Sequence, residues 1–100
     1  MPRKEDRISY LKEVELEFSS GKRNARISDI SAGGCYIDTI AQVPVGEPVT
    51  LNISSSGGEL VQFTGRVAYL LEGFGFGVEF TNLSDQQREF LSKIISSSAG

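Results

Sequence analysis

The sequence contains no histidine and a single cysteine, Cys35. Without imidazole there is no side chain that titrates near neutral pH by default, and nothing beside Cys35 to activate it as a nucleophile. One thiol cannot close an internal disulfide, and the alternation around Cys35 fits a small core side chain. No phosphate-binding P-loop is present, and the acids Asp29, Asp38 and Glu79 are scattered rather than evidently paired. Long apolar runs are also missing: nothing approaches the ~18 residues that a membrane span requires. The N-terminus is charged where a signal peptide would turn apolar. These gaps argue against an enzyme, a metal or cofactor site and a membrane span, and they lead us to expect a cytoplasmic binding protein.

What is present is a strand pattern. One hundred residues, 39% hydrophobic and 23% charged, fit one small globular domain with a single core. Val14-Glu15-Leu16-Glu17-Phe18 alternates strictly, as a half-buried strand does. Asn24 to Asp29 predicts a second strand with Ala25 and Ile27 inward, and Cys35 to Asp38 a short third. Pro44, Gly46 and Pro48 punctuate the connection over 39–48. Val49, Leu51 and Ile53 mark a fourth strand, and residues 59–71 the longest, with Val61, Phe63, Val67, Tyr69 and Leu71 on its inner face. Phe74, Phe76, Val78 and Phe80 form the inner face of a sixth strand. Gly75 and Gly77 lie opposite them and leave the outer face bare, either for barrel curvature or for a ligand. Ser84 with Gln87 has the spacing of a capping box, and Phe90, Leu91, Ile94 and Ile95 give a helix over about 84–96 one apolar stripe. Six alternating runs and a terminal helix predict an all-β fold, a small antiparallel barrel or curled sheet. Residues 1–12, without a clean apolar period, are expected to be a flexible arm, 13–96 the barrel and its helix, and 97–100 a tail.

Charge divides unevenly along the chain. Residues 1–26 carry a net +2 and residues 27–100 a net −5. An acidic body with one small basic region suits a small anion better than DNA or RNA, whose binding requires many neutralised phosphates. An oligonucleotide-binding barrel would further need stacking aromatics on an outer basic face, whereas here the aromatics fall mostly on positions expected to face inward.

Two short motifs stand out against this background. Arg3-Lys4-Glu5-Asp6-Arg7 places two planar cationic forks four residues apart, suited to phosphate or to the O6/N7 edge of guanine. Asp29-Ile30-Ser31-Ala32-Gly33-Gly34 sets an acceptor, a hydroxyl and two glycines in one turn, where backbone free of Cβ can take positive φ and admit a ligand. A capped loop is the plainer explanation of Asp29 and Ser31 taken alone. Together and in this order the motifs match RxxxR and [D/N]xSxxG, and with Gly75-Phe76-Gly77-Val78-Glu79-Phe80 the whole chain resembles the PilZ domains, bacterial receptors for cyclic di-GMP. The resemblance implies a six-stranded antiparallel barrel with a C-terminal helix. It further implies that Arg3 and Arg7 hold phosphate and guanine, that Asp29 accepts from guanine N1–H and N2–H, and that Ser31, Gly33 and Gly34 complete the cradle. Lys4 and Arg26 are weaker candidates for phosphate, and Gly77 for ligand clearance. Ligand binding is then expected to pin the arm and alter the surface shown to a downstream protein. The alternative is a ligand-free adaptor of the same family that acts through protein contacts alone.

Overall fold

The computed structural model describes residues 8–54 and 57–99, with side chains as far as Ser96. Six strands, β1 (Ile8–Phe18), β2 (Gly21–Ile30), β3 (Gly34–Asp38), β4 (Pro48–Ser54), β5 (Leu60–Leu71) and β6 (Gly75–Thr81), precede one helix, α1 (Asp85–Ala99). The strands close into a barrel in the order β1-β2-β3-β6-β5-β4, with every pair antiparallel. Among the described residues no helix is long and apolar enough to cross a membrane.

The core follows from alternation. Leu16, Ile27, Ile30, Ile37, Leu51, Ile53, Phe63 and Phe76 are fully buried inside the barrel. The glutamates between the inner residues of β1 face outward, where Asn52 Nδ2 donates to Glu15 at 3.1 Å and to Glu17 at 2.7 Å. Helix α1 starts as the capping-box spacing predicts: Gln87 N–H donates to Ser84 Oγ, and Ser84 N–H donates to Gln87 Oε1. Leu91 then enters the core, while Phe63 stacks with Phe80 at 5.1 Å and meets Phe90 of α1 at 5.8 Å. The helix runs to Ala99, past the expected end near residue 96 and through most of the expected tail.

Three register shifts break the alternation, between Ser9 and Lys12 in β1, Ile27 and Asp29 in β2, and Val67 and Tyr69 in β5. Each sets one more residue on one strand than on its partner, which turns the residues beyond it to the other face. These shifts account for several differences from the sequence pattern. The strand β1 begins at Ile8, so Ile8 to Lys12 belong to the barrel wall rather than to an arm; Ile8 and Tyr10 pack on the core, and the irregularity after Ser9 hides their period. In β5 the extra residue Ala68 sends Leu70 inward and leaves Tyr69 42% and Leu71 50% exposed, contrary to the inner face expected for both. Phe74 is also exposed, at 73%, because it sits in the turn before β6.

Candidate functional site

Asp29 has the same strand parity as the buried Ile27 and in a regular strand would point into the barrel. The bulge at Ser28 reverses this: Ile27 pairs with Ile37 but Asp29 with Tyr36, and Ile30 becomes the next buried residue. Tyr36 lies between the buried Cys35 and Ile37, so its side chain and that of Asp29 share the outer face. Asp29 is therefore not at the start of a turn but inside β2, and it pairs on its other side with Ser9 of β1. Ser9, Asp29, Tyr36, Gly77 and Tyr69 form one transverse row across β1, β2, β3, β6 and β5. Glu13, Arg26, Asp38, Gly75 and Leu71 form the row beside it.

The outer face at Gly77 is not bare. The Tyr69 ring lies over it, with Cε2 and Cζ only 2.4 and 2.5 Å from where a Cβ would stand. Tyr36 stacks on Tyr69 at a centroid distance of 6.2 Å and an angle of 29°. Gly77 thus makes space for an aromatic pair that the sequence pattern hides, since strict alternation puts Tyr69 in the interior and Tyr36 belongs to no motif. The Tyr36 phenol is pushed above its ordinary value of 10.0, first by burial and then by Asp38, Tyr69 and Asp29. At neutral pH it is a proton donor beside the Asp29 carboxylate.

The turn after β2 is tied by its own polar groups. Ser31 is buried; its N–H and its hydroxyl both donate to the Gly34 carbonyl, at 2.8 and 3.3 Å, and its Oγ accepts from Gly33 N–H. Phe80 N–H donates to the Gly33 carbonyl at 2.9 Å, fixing the turn to β6. Gly34 does not take the positive φ expected of it. A Cβ there would stand 2.1 Å from the Val78 carbonyl oxygen, so this glycine is required by the close approach of β3 and β6. Beside the turn is a cleft of about 360 Å³ lined by Gly33, Gly34, Tyr69, Gly77 and Glu79 among others. A wider groove of about 680 Å³ between the start of β5 and α1 holds none of the motif residues.

The structure therefore brings Asp29, Ser31, Gly33, Gly34 and Gly77 to one side of the barrel, with Arg26 one row away between the acids Glu13 and Asp38. Arg3, Lys4 and Arg7 lie outside the described residues. Ile8, the residue after Arg7, pairs with Ile30, and Ser9 pairs with Asp29, so the strand following RxxxR enters the barrel next to the second motif. Among the described residues no cluster of carboxylates or thiols has the grouping of a metal site.

A family model for the PilZ domain matches residues 2–97. The chain belongs to the PilZ domain family. Solved PilZ domains share its fold. The PilZ domain of CeSA from a cellulose-synthesizing bacterium is 20% identical, with a TM-score of 0.72, over 95% of this chain and 99% of that one. The PilZ domain of YcgR from Escherichia coli, solved with c-di-GMP, is 16% identical, with a TM-score of 0.78, over 99% and 92%. PlzA of Borreliella burgdorferi, in complex with c-di-GMP, is 16% identical, with a TM-score of 0.72, over 91% of this chain and 40% of that one. No curated protein matches the chain significantly.

Proposed function

We propose that this PilZ domain is a cytoplasmic receptor for cyclic di-GMP, a binding module rather than an enzyme, and that the ligand lies on the row from Asp29 to Tyr69. The observation that carries this reading is the pairing of Ser9 with Asp29. The described face offers an acceptor, a phenol donor and flat aromatic surface, but its charges are mainly acidic: Glu13, Asp29, Asp38 and Glu79 against Arg26 and Arg66. A dianion needs more positive charge than that, and Arg3 and Arg7 come just before the strand that borders Asp29. In this reading their guanidinium groups hold phosphate and the guanine O6/N7 edge, with Lys4 as a helper. Asp29 accepts from guanine N1–H and N2–H. Ser31, its hydroxyl engaged in the turn, and Gly34, close against β6, shape the cradle rather than contact the ligand, while Gly33 and the tyrosine pair border it.

Adenine lacks both donors that Asp29 would accept, so hydrogen bonds to a charged group, worth about 1.5–3 kcal/mol each, are lost. Calorimetric titration should therefore show cyclic di-AMP bound at least about tenfold more weakly than cyclic di-GMP; equal affinities, or no binding of either, would refute the proposal. Ordering an arm residue costs about 1–2 kcal/mol and a charge-assisted hydrogen bond returns about 1.5–3, so several contacts must form together. Ligand binding accordingly orders the arm and changes the surface offered to a downstream protein. The exposed Ile40, Leu71 and Phe74, at 85%, 50% and 73%, favour protein contact at this end of the molecule. They are also the observation on the side of the adaptor alternative, which a null titration would leave standing.

A further inference from the structure

Two depressions in the barrel wall meet at one side chain. The cleft of about 360 Å³ beside Gly33 and Gly34 and a groove of about 640 Å³ bounded by Gly46, Arg66, Thr81 and Asn82 share Glu79 and Phe80. Phe80 points into the core, whereas Glu79 stands outward on the divide. Its partners in register are Gly34 on β3 and Arg66 on β5. Arg66 Nε lies 3.9 Å from Glu79 Oε1, with the two side chains 59% and 64% exposed. A solvated pair at that separation is weakly held, so the guanidinium is free to exchange partners. Glu79 is itself 64% exposed, so water screens its own repulsion of an anion in the cleft.

We propose that Arg66 is a phosphate-binding residue of this site, held by Glu79 while the site is empty and passed to a ligand phosphate when it fills. The proposal rests on the cyclic di-GMP reading above and adds to it a cation from the barrel wall itself. Arg66 is two strand spacings from Gly34, about 10 Å, within reach of a guanidinium turned towards a nucleotide lying beside Gly34 and the Tyr36–Tyr69 pair. Its fork matches two phosphate oxygens, which Glu79 cannot engage. Glu79 is then a positioning residue: it keeps Arg66 next to the cleft and competes with the ligand for it.

The test is calorimetric titration of the full chain with cyclic di-GMP, comparing wild type, Arg66→Gln, Glu79→Gln and the double variant, each checked for unchanged thermal unfolding. Arg66→Gln should weaken binding about tenfold, and Glu79→Gln should tighten it about threefold. The gain from Glu79→Gln should vanish when Arg66 is absent. Binding by Arg66→Gln within twofold of wild type would remove Arg66 from the site. An equal gain from Glu79→Gln with and without Arg66 would reduce Glu79 to simple repulsion and overturn the exchange. A wild type that fails to bind would instead overturn the receptor reading, and this proposal with it.

Discussion

Gly34→Ala separates two explanations of the second glycine in Asp29-Ile30-Ser31-Ala32-Gly33-Gly34. If Gly34 serves ligand approach, alanine costs affinity and leaves the fold intact. The structure argues otherwise, because the new methyl would stand 2.1 Å from the Val78 carbonyl oxygen and 3.2 Å from its carbon. These are backbone atoms of a paired strand, with no flexible end to swing away. β3 and β6 must separate by more than 1 Å locally, which puts at risk the Phe80 N–H to Gly33 carbonyl bond at 2.9 Å. Overpacking of this kind costs about 1–3 kcal/mol, and each weakened hydrogen bond about 1 more. A loss of about 3 kcal/mol from a domain with about 5–15 kcal/mol in total should lower Tm by about 12–24 °C. Thermal unfolding followed by far-UV circular dichroism, without ligand, reads this directly. A variant that melts within about 2 °C of wild type would refute the packing argument, whatever it did to binding.

Gly77→Ala should be milder: it pushes on the Tyr69 ring, which is 42% exposed and can swing out, so losing the aromatic pair should cost about 1 kcal/mol and flatten the near-UV tyrosine signal. Asp29→Ala should abolish measurable cyclic di-GMP binding with little change in Tm, since its side chain lies on the outer face; retained binding would exclude it from the site. Ser31→Ala leaves the Gly33 N–H without the Oγ acceptor at 3.3 Å and should cost about 1–2 kcal/mol of stability, read from urea midpoints. The folded-state values of Tyr36 and Tyr10 are raised above the ordinary 10.0, so near pH 10 the folded protein retains protons that the unfolded chain has lost. The contribution of these two phenols to stability should be fully present below that pH and be lost as pH rises through the raised values. Tyr36→Phe should lessen the fall, and an unchanged slope in Tyr36→Phe would count against the environment described for that phenol.

The alternation of Val14 and Leu16, of Val49, Leu51 and Ile53, and of Phe76, Val78 and Phe80 made the inner wall legible in the sequence, and Ser84 with Gln87 marked the start of α1. The bulges did not announce themselves. Ser28 and Ala68 are ordinary strand residues, and the extra residue on one strand exists only relative to its partner, which no local pattern records. The differences in β5 and β1 follow from this: Tyr69 and Leu71 lie beyond the bulge in β5, and the start of β1 is obscured by its own. The site motifs were legible as residue types but not in their division of labour. Ser31 and Gly34 serve the turn and the sheet, while the tyrosine pair joins Asp29 on the outer surface.

The bulge at Ser28 makes length itself a functional property of this segment. Adding one residue to β3 between Tyr36 and Ile37 would give Ser28 a partner and restore regular pleating, which would carry the Asp29 carboxylate into the hydrophobic interior and drive Ile30 out into water, although every motif residue would still be present. There an insertion of one codon should do more harm than most substitutions, and related sequences aligned by motif alone will look competent when their spacing says they are not.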